Sequence, residues 1–146
     1  MTGMPDRIAE GAGQRARIQA SLEGTQQVVT LTASKTLTAE DSGKIFLIGT
    51  DALVITLPPT AEGLIYTFVN SGADGGAIIT VSPAAADAIH GVFTLAASIV
   101  ELSGTDNKDM INTKATAGTG DHARIVADGS VGWFVIGGSG IWASEA

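Results

Sequence analysis

From Gln26 onward the chain keeps alternating between two kinds of text. A few β-branched or aromatic residues are followed by a cluster of turn formers. Apolar runs occupy residues 28–32, 45–48, 53–57, 64–69, 77–81, 98–102, 110–112, 123–126 and 132–136. Between them lie Asp41-Ser42-Gly43, Pro58-Pro59, Asn70-Ser71-Gly72, Asp74-Gly75-Gly76, Pro83 and Asp128-Gly129. Proline cannot donate to a strand ladder, and glycine and asparagine admit the positive φ of tight turns. Runs this short, recurring roughly every 8–12 residues, suit strands and leave no room for helices. The expected fold class is therefore all-β: a small antiparallel β-sandwich, or a jelly-roll or barrel-like domain. Asp128-Gly129 between two apolar runs predicts a two-residue hairpin of type I′, with positive φ at both positions. Helices do not alternate with strands, which excludes a doubly wound parallel sheet. No clean internal repeat is present, which argues against a solenoid or propeller.

The N-terminal stretch, 1–26, reads differently. Gly3, Gly11, Gly13 and Gly24 interrupt a small, polar segment. Each glycine weakens a helix by up to about 1 kcal/mol, so an extended arm ordered by a partner is expected. A short helix over residues 14–22 would place Ile18 and Leu22 one turn apart. The organisation expected is an arm, 1–26, and one β-domain, 27–146, with a short C-terminal tail. Charge divides along similar lines. Residues 1–35 carry four basic side chains against three acidic, and residues 36–146 carry four against twelve. An acidic chain of net charge −7 is a poor candidate for wrapping nucleic acid. No run approaches the roughly 18 apolar residues of a membrane-spanning helix. The N-terminus shows no apolar stretch of the secretory-signal kind. Cysteine is absent, which removes disulfides, thiolate metal sites and cysteine nucleophiles.

Hydrophobic residues make up 45% of the chain and charged residues only 16%, against an average of about 25% charged. A surface so poor in charge is expected to meet copies or partners. Ile45–Ile48 is apolar on both faces, and such a strand is buried on both. In one small domain part of that burial would come from another subunit. A homo-oligomer is thus expected, with Ile45, Phe46, Trp133, Phe134 and Trp142 as candidate interface residues. The two tryptophans also suit the core, or a face that binds sugars.

Catalysis requires a base near its target and a group that orients the base. Asp121 directly precedes His122, and neighbours on a strand point to opposite faces, so this pair does not form a dyad. His90 stands alone in its segment. Metal-ligand spacing between histidines is missing. The oxygen-rich run Asp106-Asn107-Lys108-Asp109 lacks the glycine and terminal glutamate of a calcium loop. Glu40-Asp41 suits turn formation before Ser42-Gly43. The glycine-rich stretch 72–76 precedes neither a lysine nor a helix, so it does not read as a phosphate cradle. No catalytic residue, cofactor or metal is expected.

Several segments taken in order resemble a known kind of protein. They are residues 35–46, Val54-Ile55-Thr56-Leu57-Pro58-Pro59, residues 63–69, residues 121–125, and Asp128-Gly129-Ser130-Val131-Gly132-Trp133-Phe134-Val135. Their sequence of strands and turns, over residues 35–137, resembles the decoration (cement) proteins of tailed-bacteriophage capsids. Similar modules occur in phage fibre and tail proteins. The resemblance implies a non-enzymatic virion protein, made in the bacterial cytoplasm and bound outside the expanded shell. Its partner would be the major capsid protein, whose neighbouring subunits it would staple. It would act as a homo-oligomer, a trimer before a dimer, and touch neither nucleic acid nor membrane. Arg7, Ile8, Arg15, Arg17 and Ile18 are the candidate shell contacts, since arginine forks match carboxylates. The alternative it implies is a fibre, spike or tail module that binds a host-surface glycan.

Overall fold

The computed structural model describes residues 26–146. The expected arm, its short helix and the shell-contact candidates Arg7, Ile8, Arg15, Arg17 and Ile18 lie outside the described residues. Within them the chain is all-β, as expected. The strands are β1 (Val28–Leu31), β2 (Lys35–Thr36), β3 (Ile45–Ile48), β4 (Leu53–Thr56), β5 (Ile65–Asn70), β6 (Ile79–Ser82) and β7 (Ala88–His90). They continue with β8 (Val92–Thr94), β9 (Ile99–Glu101), β10 (Met110–Asn112), β11 (His122–Ala127), β12 (Gly132–Ser139) and β13 (Trp142–Ser144). Two short 3-10 turns, Ala39–Asp41 and Lys114–Thr116, are the only helical pieces among the described residues.

The pairing corrects the antiparallel expectation. One sheet has six strands in the order β1-β3-β5-β11-β12-β7, the other five in the order β13-β10-β6-β4-β2. Consecutive strands β1 to β6 alternate between the two sheets. Each therefore lies parallel to the strand two places on: β1 to β3 to β5 in one sheet, β2 to β4 to β6 in the other. The backbone is thus wound in coils, although the sequence shows no repeat. The coils leave no periodic trace because their lengths differ. The coil that brings Val28 beside Ile45 is shorter than the next, which brings Ile45 beside Thr67. The coil that brings Leu53 beside Ile79 is longer than either. The winding ends where β11 and β10 add antiparallel to β5 and β6 respectively.

Burial follows the two-residue period of a strand. In β3 Phe46 and Ile48 are wholly buried, whereas Ile45 and Leu47 are half-buried on the outer face. In β5 Tyr66, Phe68 and Asn70 point inward, while Ile65, Thr67 and Val69 point out. Both sheets contribute to a single core, which joins Phe46, Phe68, Ile125 and Trp133 to Ile55, Ile79, Val81, Met110 and Trp142. A row of rings runs through it. Phe68 lies 6.1 Å from Phe46, Phe46 lies 6.4 Å from Tyr66, and Tyr66 lies 5.5 Å from Trp133. The hairpin of β8 and β9 stacks Phe93 on Trp142 at 6.0 Å. Phe93 fits there because Gly138 has no side chain: a Cβ would stand 2.5 Å from the ring.

The connection from β11 to β12 is also not the expected type I′ turn. Among the described residues, positive φ outside glycine occurs only at Ala52 and Asn107, so Asp128 does not adopt it. The loop instead runs from Asp128 to Val131 and is held by the Asp128 carboxylate. That group accepts hydrogen bonds from the Ser130 and Gly132 amides at 2.9 and 3.0 Å. These backbone bonds hold its pKa below the ordinary aspartate range. Thr60 fastens the loop to the body, accepting from the Gly129 amide and donating to the Gly132 carbonyl.

Gly132 is the tightest point of this architecture. Its φ is +141°, and an added Cβ would fall 2.1 Å from the Ala88 carbonyl oxygen, across the ladder between β12 and β7. Gly132→Ala is expected to destabilise the fold by about 2–4 kcal/mol through strain and displaced backbone. Gly137→Ala, on the same strand with no atom within 4 Å of the new Cβ, is the matched control. Chemical denaturation of both variants checks this; equal stabilities would contradict it.

Candidate interaction face

The alternation within β1, β3, β5, β11, β12 and β7 gives the six-stranded sheet an outer face of its own. Three cross-strand rows make it up. The first runs Val28, Ile45, Thr67, Arg124 and Gly137. The second runs Thr30, Leu47, Val69, His122 and Ser139. The third runs Ile65, Val126, Phe134 and His90, where the His90 ring stacks on Phe134 at 5.1 Å. None of these residues is buried: each is half-buried or exposed. A bulge between Arg124 and Ile125 leaves Ile136 out of the register, and it is 55% exposed. The five-stranded sheet presents a more polar exterior, with Thr56, Thr80 and Ser82 beside Val54, Ile111 and Ala143.

Charge is distributed just as unevenly. Residues 26–146 hold twelve carboxylates, and only Glu101, in β9, belongs to a strand. The ionisable side chains that the six-stranded sheet turns outward are Arg124, His90 and His122. The acidic groups sit in the connections, where they organise turns. Asp41 is the clearest case. Its carboxylate accepts from the Thr38 amide at 3.0 Å and from Lys44 Nζ at 2.9 Å, with Lys35 at 3.6 Å. Burial pushes its pKa up. The Lys44 and Thr38 hydrogen bonds and the two lysine charges outweigh this and hold it below the ordinary range. Glu40-Asp41 thus forms a turn, as expected. That turn also receives Tyr66, whose hydroxyl donates to the Thr38 carbonyl at 2.6 Å.

A buried polar chain sets the two sheets in register. Asn70 in β5 donates through Nδ2 to Asn112 Oδ1 in β10 at 2.8 Å and to the Ala77 carbonyl at 3.1 Å. Asn112 Nδ2 donates in turn to Asp121 Oδ2 and to the Ile141 carbonyl, both at 3.1 Å. Asp121 also accepts from the Gly118 amide at 2.9 Å. Its carboxylate therefore faces inward and does not orient His122, whose Nδ1 lies 3.1 Å from the Gly120 carbonyl and from Ser139 Oγ. In the glycine-rich stretch 72–76, the amides of Gly72, Gly75 and Gly76 bond to Asn70, Ala117 and Ala73, so those three do not cradle an anion.

The residues expected at a subunit interface divide into two groups. Phe46, Trp133 and Trp142 are wholly buried in the chain's own core and have no surface to offer a neighbour. Large aromatics fill the space between two sheets, and a single chain supplies both sheets. Ile45 and Phe134 lie on the outer face, Phe134 with 37% of its surface exposed. Sequence reasoning missed Val28, Leu47, Ile65, Val69, Val126 and Ile136. The signal was there in the strand parity: once Phe46 and Tyr66 are taken as inward, their neighbours must point out.

Two outcomes test this arrangement. Asn112→Ala is expected to lower stability by roughly 2–3 kcal/mol, since it strips buried partners from Asn70 and Asp121. A change within error in denaturant unfolding would contradict it. The Tyr66 phenol is pushed up to about 12, first by burial and then by the nearby Asp41 charge. A phenol with a raised pKa stabilises the fold below its unfolded value, and that stability is lost as pH climbs from about 10 towards 12. Tyr66 should thus account for up to about 3 kcal/mol of alkaline destabilisation. Tyr66→Phe should flatten that part of the stability–pH profile; an unchanged profile would refute the assignment.

No protein-family model matches the chain, and no curated protein matches its sequence at a significant level.

Proposed function

We propose that this chain is a non-enzymatic structural protein of a phage particle, which binds the outer surface of the capsid and braces neighbouring capsid subunits. One observation supports this reading above others. The segments that resemble phage decoration modules are not scattered in space. Residues 45–46, 65–69, 122–125 and 132–135 fall in β3, β5, β11 and β12, four adjacent strands of one sheet, and residues 35–36 and 54–56 fall in β2 and β4 of the other. The resemblance thus runs through both sheets of one shared core. Three features of this arrangement suit a passive clamp. The sheets share one core, every carboxylate of residues 26–146 but Glu101 is kept to the connections, and Val28, Phe134 and Ile136 are exposed large apolar side chains. Gln26, whose side chain donates to the Gly43 carbonyl, stands beside β1 at the edge of the sheet. In this reading Arg7, Arg15 and Arg17 make shell contacts. Many equivalent weak contacts on a symmetric lattice add as avidity.

The glycan-binding alternative gains nothing comparable. It relied on Trp133 and Trp142, and both rings are enclosed in the core.

The test is co-sedimentation with expanded capsids assembled from the major capsid protein encoded alongside this chain. The full chain is expected to saturate the shells and raise their resistance to heat. Arg7→Ala, Arg15→Ala and Arg17→Ala together are expected to weaken binding by about tenfold or more. No co-sedimentation by the full chain would end this reading.

A further inference from the structure

We propose that the outer face of the six-stranded sheet is where a second copy of this chain docks. The inference concerns the free protein and does not depend on capsid binding. Its first support is the chemistry of the face. Val28 is 54% exposed, Phe134 37% and Ile136 55%, with Leu47 and Val69 half-buried between them. Apolar surface of this breadth marks an interaction site on a small protein.

The second support is size. Six strands spaced about 4.8 Å apart, carrying three outward rows about 7 Å apart, cover on the order of 500 Å². Two such faces would bury about 1,000 Å², which reaches the lower bound of a specific interface.

The third support is charge, and it selects the occupant. The described chain carries twelve carboxylates against five cations, so copies repel through most of their surface. The carboxylates are absent from the outward positions of this sheet, where Arg124 is the one fixed charge. An approach through a sheet face therefore avoids the carboxylate repulsion that opposes approach through the connections, and of the two large sheets the six-stranded one exposes more large apolar side chains. It also meets a surface of the same character, as the inner faces of the two sheets do within one chain.

The experiment is light scattering behind a sizing column, on the full chain, across a wide concentration range. The expected result is a mass at least twice the 14.7 kDa of one chain. Phe134→Lys should weaken association by about tenfold or more, by placing an ammonium on the apolar face. Val28→Lys, on the edge strand of the same face, is the second probe should Phe134→Lys disturb folding. Val54→Lys, on the outer face of the other sheet at 39% exposure, should leave the mass unchanged. Circular dichroism melts establish that each variant is folded. A monomer at every concentration overturns the proposal. So does association that survives both face lysines, because another surface then carries it. A monomer that still binds shells would overturn this inference alone and leave the capsid reading intact.

Discussion

The hydrogen bond between Asn70 and Asn112 is the contact on which the rest of the architecture turns. It is buried, it crosses from one sheet to the other, and each amide has few alternatives. Asn70 ends β5, in the last wound coil, and Asn112 ends β10, in the strand that closes it. Apolar packing alone tolerates a slide of one sheet over the other, because hydrophobic contact has no direction. A buried amide pair does not tolerate it. Misplaced by one residue, either side chain would be left without a partner in an apolar interior, at a cost of about 1–3 kcal/mol each. Asp121 extends the same logic to the loop before β11, holding it through Asn112 and the Gly118 amide.

Around that point the chain solves the problem of an open coil. Strands β1 to β6 wind between the sheets and would end in two bare edges. Strands β10 and β11 cover those edges by pairing antiparallel, and β12 and β13 extend each sheet further. The hairpin of β8 and β9 then presses Phe93 between Trp142 and Gly138. The result is one core with two different exteriors. All but one of the carboxylates of residues 26–146 lie in the connections, where several bind the backbone: Asp41 and Asp128 accept from amides, and Asp87 accepts from the Thr60 amide. That placement leaves the six-stranded face without carboxylates, with Arg124 as its one fixed charge.

Much of the strand content was legible in the sequence. Ile45–Ile48 and Met110–Asn112 have the boundaries their composition suggested. Breaks at Pro58-Pro59 and Asn70-Ser71-Gly72 fell where proline and glycine must end a ladder. Lys35–Thr36, Val92–Thr94 and Trp142–Ser144 are strands that the sequence does not reveal. Segments this short carry no readable period, and their extended form comes from a neighbour that supplies hydrogen bonds. The interaction face was half legible. Ile45 and Phe134 were singled out, but so were Phe46 and Trp133, because hydrophobicity does not say which side of a strand is inside.

That the chain is all-β, acidic and free of cysteine, and where most of its strands begin and end, can be read from the residues alone. Those properties follow from local steric preferences and from counting charges. The parallel winding of the first six strands and the inward tryptophans are settled in three dimensions. The same arrangement turns large apolar side chains such as Phe134 and Ile136 to the outside of the six-stranded sheet. Each of these depends on which strands become neighbours across long stretches of chain, as Val28 and Ile45 do, or Leu53 and Ile79. That choice is made by burying apolar surface while satisfying buried amides such as Asn70 and Asn112, a condition that belongs to the whole fold and to no single segment.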